Sequence, residues 1–307
     1  VNVADFGKVA VLMGGISTER KVSLKSGRAV LASLLKSGVD ATEVDAGYDL
    51  YEQMRRKSFD RAFIALHGQW GEDGIVQGGL EMMNIPYTGS GVLASALGMD
   101  KLRSKRLWNA MGVITPEFIE LKSQASFQDV ENWLGYPVVV KPACEGSSLG
   151  MSIVKDPHNI LDAWKQARGH DDCVFAERYI KGPEYTVSIL DKKALPAICV
   201  ETESEFYDYD AKYLSNDTRY RCPAGLPEKA EKKLADIALR AFDAVGCQGW
   251  GRVDFLIDEN GTPYVLEVNT VPGLTDHSLV PMAAKQAGIS FDQLILKILE
   301  TSDADRR

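Results

Sequence analysis

Apolar positions run from Lys8 to Met13, stop at Gly14 and Gly15, and resume at helical spacing with Val30, Leu31, Leu34 and Leu35 until Gly38. A short apolar run, a glycine turn and a 3.6-residue period predict strand, turn and helix in succession. A second strand is expected near Thr42 to Val44, and a third over Arg61 to Leu66, ending at His67. Strands alternating with helices indicate a parallel α/β sheet, here reaching into the mid-nineties.

Beyond that point the order changes. Asp100 to Met111 and Phe127 to Leu134 read as helices, while Val138 to Lys141, Met151 to Val154 and a run ending at Glu177 read as strands. Tyr185 to Leu190 and Leu195 to Val200 form a strand pair with a turn at Lys192 and Lys193. Residues 203–223 are polar, rich in tyrosine and aperiodic, and loops of that length are usually functional or disordered. Glu228 to Val245 is a helix with Leu234, Ile237, Ala238 and Ala241 on one face; Val280 to Gly288 and Phe291 to Leu299 follow, and residues 302–307 are expected to fray. Three units result: 1–96, 97–183 and 184–307.

The last unit contains the most informative pattern. Two apolar runs, one carrying Arg252 and Asp254 and the other Glu267 and Asn269, flank Asn260-Gly261. A two-residue turn centred on that pair sets Asp254 against Glu267 and Arg252 against Asn269, all on one face. Opposed Cβ atoms lie roughly 5 Å apart, so the two carboxylates repel unless something neutralises them. Two carboxylates and an amide oxygen are hard ligands that suit Mg²⁺ or Mn²⁺ together with phosphate oxygens. A solvated polar sheet face has the same pattern.

The chain of 307 residues exceeds a single core. Its net charge of -8 and pI near 5.2 argue against a nucleic-acid partner. No apolar stretch approaches a membrane span, and the first residues lack the features of a signal peptide, so the expected compartment is the cytoplasm. Five widely spaced cysteines and four scattered histidines indicate neither a disulfide framework nor a zinc site.

Candidate chemistry lies elsewhere. Glu145 to Gly150 is a small-residue loop between two strands, where backbone N–H groups can approach phosphate, although a plain hairpin turn looks the same. Lys141 at the end of its strand can meet phosphates, and Lys101, early in its helix, can add a second charge. Glu177 to Glu184 passes through Gly182-Pro183, where extended backbone can offer an adenine edge an N–H and a C=O; an interdomain linker explains it equally. His67 stands at a strand end, where α/β sheets bind ligands and where structural histidines are also common.

Taken in order, these motifs resemble the D-alanine–D-alanine ligase family over nearly the whole chain. The resemblance rests on Gly14, Gly15, Ser17, Glu19 and Arg20; His67 through Gly74; Met99 to Lys101; Val140 to Pro142; Glu145 to Ser148; Tyr207 to Tyr209; Lys212 and Tyr213; Gly251, Arg252 and Asp254; Glu267, Asn269 and Gly273; and His277 to Leu279. It implies α/β and α+β architecture: an ATP-grasp fold preceded by an N-terminal Rossmann-like parallel α/β domain. By similarity, ATP activates the carboxylate of one D-alanine as an acyl phosphate, and the amine of a second displaces phosphate.

The residue roles implied are as follows. Asp254, Glu267 and Asn269 hold two Mg²⁺ or Mn²⁺ ions. Lys101, Lys141 and Ser148 contact phosphates; Glu177, Tyr179, Ile180 and Glu184 receive adenine and ribose; and Lys212 belongs to the nucleotide site. Glu19 anchors the first ammonium with His67 near its carboxylate, and Ser278 and Leu279 clasp the second carboxylate. Arg252 and the Gly273 N–H form an oxyanion hole. Ser147 and Tyr213 link Glu19 to residues 203–223, which become a lid. Tyr213 favours an amine nucleophile, since relatives that make D-alanyl-D-lactate differ there. A homodimer is expected, with no nucleic-acid or membrane partner. Arg178-Tyr179 and Cys144 depart mildly from the family pattern. Another ATP-grasp ligase would share the nucleotide residues but lack Glu19 with Tyr213, and a non-catalytic module would tolerate loss of the metal ligands.

Overall fold

A computed structural model describes residues 3–146, 149–201, 218–275 and 278–303. In the first unit, β1 (Val9–Met13) lies between β2 (Ala41–Asp45) and β3 (Arg61–Ile64), all parallel. Every β1 residue is buried, as a central strand covered on both faces requires. Helices α1 (Arg20–Lys36), α2 (Leu50–Lys57), α3 (Ile75–Met82) and α4 (Val92–Met99) complete the unit. The buried face of α1 is Val22, Ser23, Ser26, Gly27, Val30, Ser33 and Leu34. Leu35, which the apolar series included, is 53% exposed. Small residues take its expected place because α1 lies close on β1: a Cβ on Gly27 would stand 2.4 Å from Met13 Cβ.

The second unit opens with α5 (Lys101–Ala110), whose first turn is capped by Asp100 accepting from Arg103 N–H at 2.8 Å. β4 (Phe118–Glu120), α6 (Ser126–Asp129) with a π turn at Val130–Leu134, β5 (Val138–Pro142), β6 (Ser152–Val154), α7 (Ile160–Arg168) and β7 (Val174–Arg178) follow. The strands form an antiparallel sheet in the order β4-β7-β5-β6.

The third sheet has the order β11-β10-β8-β12-β13, with β9 on β8. Its strands are β8 (Glu184–Leu190), β9 (Lys193–Ala194), β10 (Ile198–Glu201), β11 (Arg219–Arg221), β12 (Trp250–Ile257) and β13 (Pro263–Asn269). The run expected from Leu195 enters the sheet only at Ile198, and the end of the aperiodic stretch is a strand, β11. Residues 202–217 lie outside the described residues. Helix α8 (Glu228–Ala244) covers the sheet with Leu234, Ala238, Ala241 and Phe242. Finally α9 (Leu279–Gln286) and α10 (Phe291–Glu300) return to the first unit and share its core, with Asp292 meeting Ser33 and Lys36. Ser302, expected to fray, is 2% exposed and receives Arg61; 304–307 lie outside the described residues.

The β12–β13 hairpin reaches its register by an unexpected route. Its loop holds three residues, with Gly261 at φ +78°, Gly261 N–H donating to Asp258 O, and Ile257 opposite Pro263. That is one residue away from a two-residue turn, because Asp258 accepts from Asn260 and Thr262 N–H and tightens the turn around itself. A bulge between Asp254 and Phe255 then shifts the pairing back, so Asp254 faces Glu267 and Arg252 faces Asn269 as expected. Two residues of the bulged strand, Leu266 and Glu267, now oppose Asp254. Val265 and Val268, three apart, both reach the core beneath.

Candidate active site

A cleft of about 530 Å³ separates the second and third sheets. Its walls include Lys101, Lys141, Glu145 and Met151 from one side, the 177–184 segment at the hinge, and Asp254, Leu256, Leu266 and Glu267 from the other. The hinge approaches β12 so closely that a Cβ on Gly182 would lie 1.8 Å from Ile257 O. Thus Lys101, Lys141, Glu177, Tyr179, Ile180, Glu184, Asp254 and Glu267, dispersed in sequence, face one space.

Lys101 bridges the two walls. Its Nζ donates to Glu145 O at 2.7 Å, at the entry to the glycine loop, and lies 3.2 Å from Glu267 Oε2. Burial works against its charge, but Glu267, with smaller contributions from Cys144 and Glu72, leaves its pKa raised. On the neighbouring strands β5 and β7, the Lys141 ammonium pairs with Glu177 Oε1. Glu177 Oε2 is 2.7 Å from a second lysine, Lys105, which is 0% exposed. Burial pushes Glu177 up, yet the charges of Lys105 and Lys141 hold it below the usual carboxylate range. Burial drives Lys105 down to about 8, with Glu177 opposing.

Asp254 is 2% exposed and saturated. Its Oδ1 accepts from Arg252 Nε and Thr186 Oγ1, and its Oδ2 from Arg252 Nη2 and Asn269 Nδ2, at 2.7–3.0 Å. The donor chemistry of Asp254, Glu267 and the Asn269 amide oxygen fits a hard divalent cation. Ligation by Asp254 requires one of those four donors to leave, and turning the Asn269 amide over both vacates a lone pair and presents its oxygen. Among the described residues no cluster of three or more acidic, histidine or cysteine side chains that could hold a metal ion is present.

A second group lies where the first unit meets the third. His67 is 6% exposed and both ring nitrogens are engaged: Nδ1 with Val271 O at 2.8 Å and Nε2 with Ser26 Oγ at 3.1 Å. A carbonyl only accepts, so Nδ1 carries the proton and Nε2 accepts from Ser26, which receives Leu274 N–H in turn. Burial lowers the His67 pKa, favouring this neutral form. His67 therefore clamps the 271–274 loop that carries Gly273. Ser278 Oγ accepts from Thr275 N–H at 2.9 Å and crowds Gly273, where a Cβ would lie 2.9 Å away. Leu279 begins α9.

Glu19 stands between this group and the glycine loop: Cβ atoms placed on Gly68 and Gly146 would lie 2.8 and 3.4 Å from its Oε2. Nearby, Glu72 is held by Gly68 N–H at 2.7 Å and Val271 N–H at 3.4 Å. Burial first, and then the charge of Glu19, raise its pKa to about 8.

Ser147, Ser148, Lys212, Tyr213 and His277 lie outside the described residues. The sequence reading did not single out Lys105, Thr186, Leu266 or, beyond its motif, Glu72. Lys105 had a signal, since it shares the α5 face that buries Leu102 and Trp108. Leu266 had none, because its orientation depends on the bulge.

The chain is similar to known proteins over nearly its whole length. Residues 107–300 match the sequence profile described as "D-ala D-ala ligase C-terminus", and residues 40–90 match "D-ala D-ala ligase N-terminus". The chain is 54% identical to a D-alanine--D-alanine ligase of Pseudomonas fluorescens, over 98% of this chain and 93% of that protein. It is 55% identical to one of Nitrosococcus oceani, over 98% and 96%. Among solved structures, a D-alanine--D-alanine ligase of Bacillus anthracis complexed with ATP is similar at a TM-score of 0.86 and 36% identity, covering 96% of this chain and 97% of that one. The VanG D-Ala:D-Ser ligase of Enterococcus faecalis gives 0.85 and 30%, covering 96% and 99%.

Proposed function

The chain belongs to the D-alanine–D-alanine ligase family, and from that premise we propose that it joins two D-alanines at the expense of ATP, supplying a dipeptide for peptidoglycan synthesis. The observation that carries the reading is one cleft in which two lysines face a facing pair of carboxylates, Asp254 and Glu267. A ligand bearing both negative charge and bound cations complements the lysines of one wall and the carboxylates of the other.

In the first step the carboxylate of one D-alanine attacks the γ-phosphorus of ATP, and the bond to ADP breaks. The amine of the second D-alanine then attacks the acyl carbon, and phosphate leaves with the original carboxylate oxygen. Lys101, Lys141 and Ser148 hold the phosphates, Glu177, Tyr179 and Ile180 the adenine, Glu184 the ribose, and Lys212 adds to the nucleotide site. Asp254, Glu267 and Asn269 would hold two Mg²⁺ or Mn²⁺ ions, which would supply positive charge to offset the charge that develops on the transferring phosphoryl group.

Glu19 anchors the first ammonium. By clamping the 271–274 loop, His67 aims the Gly273 N–H; together with Arg252 it stabilises the oxyanion of the tetrahedral intermediate. Ser278 and Leu279 open α9, whose N-terminal end favours the second carboxylate. Ser147 and Tyr213 connect Glu19 to the lid, residues 203–223, which excludes water from the acyl phosphate. Units 1–96, 97–183 and 184–307 correspond to the amino-acid domain and the two halves of the grasp, a division supported by the three sheets. The working form is a homodimer. An apolar face on α3 and α4 supports it, with Met82 91% and Leu93 72% exposed beside Ile75 and Val92.

The test is ADP release with D-alanine, L-alanine and D-lactate supplied separately. D-alanine alone supports turnover; equal rates with L-alanine refute the assignment.

A further inference from the structure

We infer that Lys105 is a positioning residue for nucleotide binding: it keeps Glu177 neutralised when Lys141 turns from Glu177 to the phosphates, and ties that carboxylate to the metal-side hairpin. The inference rests on the proposed ATP-dependent reading and deepens it.

Three observations lead there. First, Glu177 is served by two lysines where one suffices for charge balance: Lys141 on Oε1 and Lys105 on Oε2. Lys141 and Glu177 line the cleft, but Lys105 does not; it stands behind them, 0% exposed. A buried cation is retained against a steep desolvation cost; Glu177 offsets part of it at all times, and an anion bound in the cleft beyond offsets more. Second, if Lys141 leaves to meet phosphate and Lys105 is absent, Glu177 becomes a buried, unpaired carboxylate. The exchange of partners is then unfavourable, and Lys141 stays where it is.

Third, Lys105 is connected onward. Its ammonium donates to Thr115 Oγ1 and lies 5.6 Å from the Phe118 ring centre. Thr115 Oγ1 donates to Val265 O at 2.8 Å, and Val265 N–H donates to Ile114 O at 2.9 Å. Val265 directly precedes the bulge that presents Leu266 and Glu267 to the cleft. A continuous polar chain, Lys141–Glu177–Lys105–Thr115–Val265, thus joins the phosphate lysine on one wall to the acidic hairpin on the other. The charged groups facing Lys105 are Glu177 and Lys141, and no other charge shifts it appreciably among the described residues.

The experiment titrates ADP calorimetrically into the parent, Lys105→Met, Thr115→Val, Thr115→Ser and the double variant Lys105→Met/Glu177→Gln, with steady-state kinetics alongside. Lys105→Met weakens ADP binding and raises KM for ATP at least about tenfold, while KM for D-alanine stays within about threefold. Removing the stranded carboxylate as well restores part of the loss, so the double variant binds ADP more tightly than Lys105→Met alone. Thr115→Val weakens ADP binding and Thr115→Ser does not, which keeps the test available if Lys105→Met fails to fold. A purely structural lysine lowers thermal stability and leaves these constants within about twofold, and that result overturns the inference. A parent that binds ADP yet releases none from ATP with D-alanine overturns the proposed reaction instead.

Discussion

Replacing Glu72 by glutamine isolates the consequence of burying one carboxylate, Glu72, close to another, Glu19. Burial and the Glu19 charge raise Glu72 from 4.5 to about 8, so the folded protein holds this proton more tightly than the unfolded chain does. Stability from this group is therefore fully present below pH 4.5 and is lost as pH rises through about 8. At about 1.4 kcal/mol per pH unit, the shift corresponds to roughly 3–5 kcal/mol across that window. Glutamine carries no proton to lose, so Glu72→Gln removes that slope. It also costs about 1 kcal/mol at all pH values, because its NH₂ cannot accept from Val271 N–H as the second oxygen does. The two stability curves accordingly cross: the parent is the more stable at pH 5 and the variant at pH 9. Urea unfolding of both proteins at half-unit steps from pH 5 to pH 9 measures the difference. Parallel curves, with the parent ahead throughout, would mean that Glu72 is ionised in the folded state and that the argument from burial is wrong.

Other substitutions probe the cleft. Asp254→Asn removes a proposed cation ligand and leaves Arg252 buried beside a neutral amide; Mg²⁺-dependent dipeptide synthesis drops at least about a hundredfold, and a parental rate would show that Asp254 is not a ligand. Leu266→Ala strips apolar surface from the nucleotide wall at about 1 kcal/mol, so KM for ATP rises roughly fivefold with kcat little changed, as initial rates against ATP concentration will report. Gly182→Ala forces a methyl into Ile257 O and destabilises by roughly 2 kcal/mol or more in thermal melts; an unchanged Tm contradicts the packing described at the hinge.

Much of this site was legible in the chain because its chemistry follows local patterns. A turn at Asn260-Gly261 with alternation on either side set Asp254 against Glu267, as found, and strand–glycine–helix order was enough to predict a parallel first sheet. The hairpin nevertheless shows that a correct pairing can come from an incomplete reason. The Asn-Gly rule did not register Asp258 drawing the loop into three residues, and periodicity cannot see a bulge, yet the two offsets cancel. Leu35 looked apolar and proved exposed because contact distance against β1, rather than hydrophobicity, selects small residues on the buried face of α1. Lys105 was passed over for the opposite reason: its place on the Leu102–Trp108 face was readable, but a helix lysine normally reaches solvent, and the tertiary placement of Glu177 and Thr115 holds it inside.

The central claim is that the cleft turns a carboxylate into an acyl phosphate. D-alanine labelled with ¹⁸O in its carboxylate, incubated with ATP, Mg²⁺ and the protein, tests this directly through the phosphate released, read by ³¹P NMR. Acyl-phosphate formation leaves one labelled oxygen in each phosphate; unlabelled phosphate accompanying dipeptide would contradict the account.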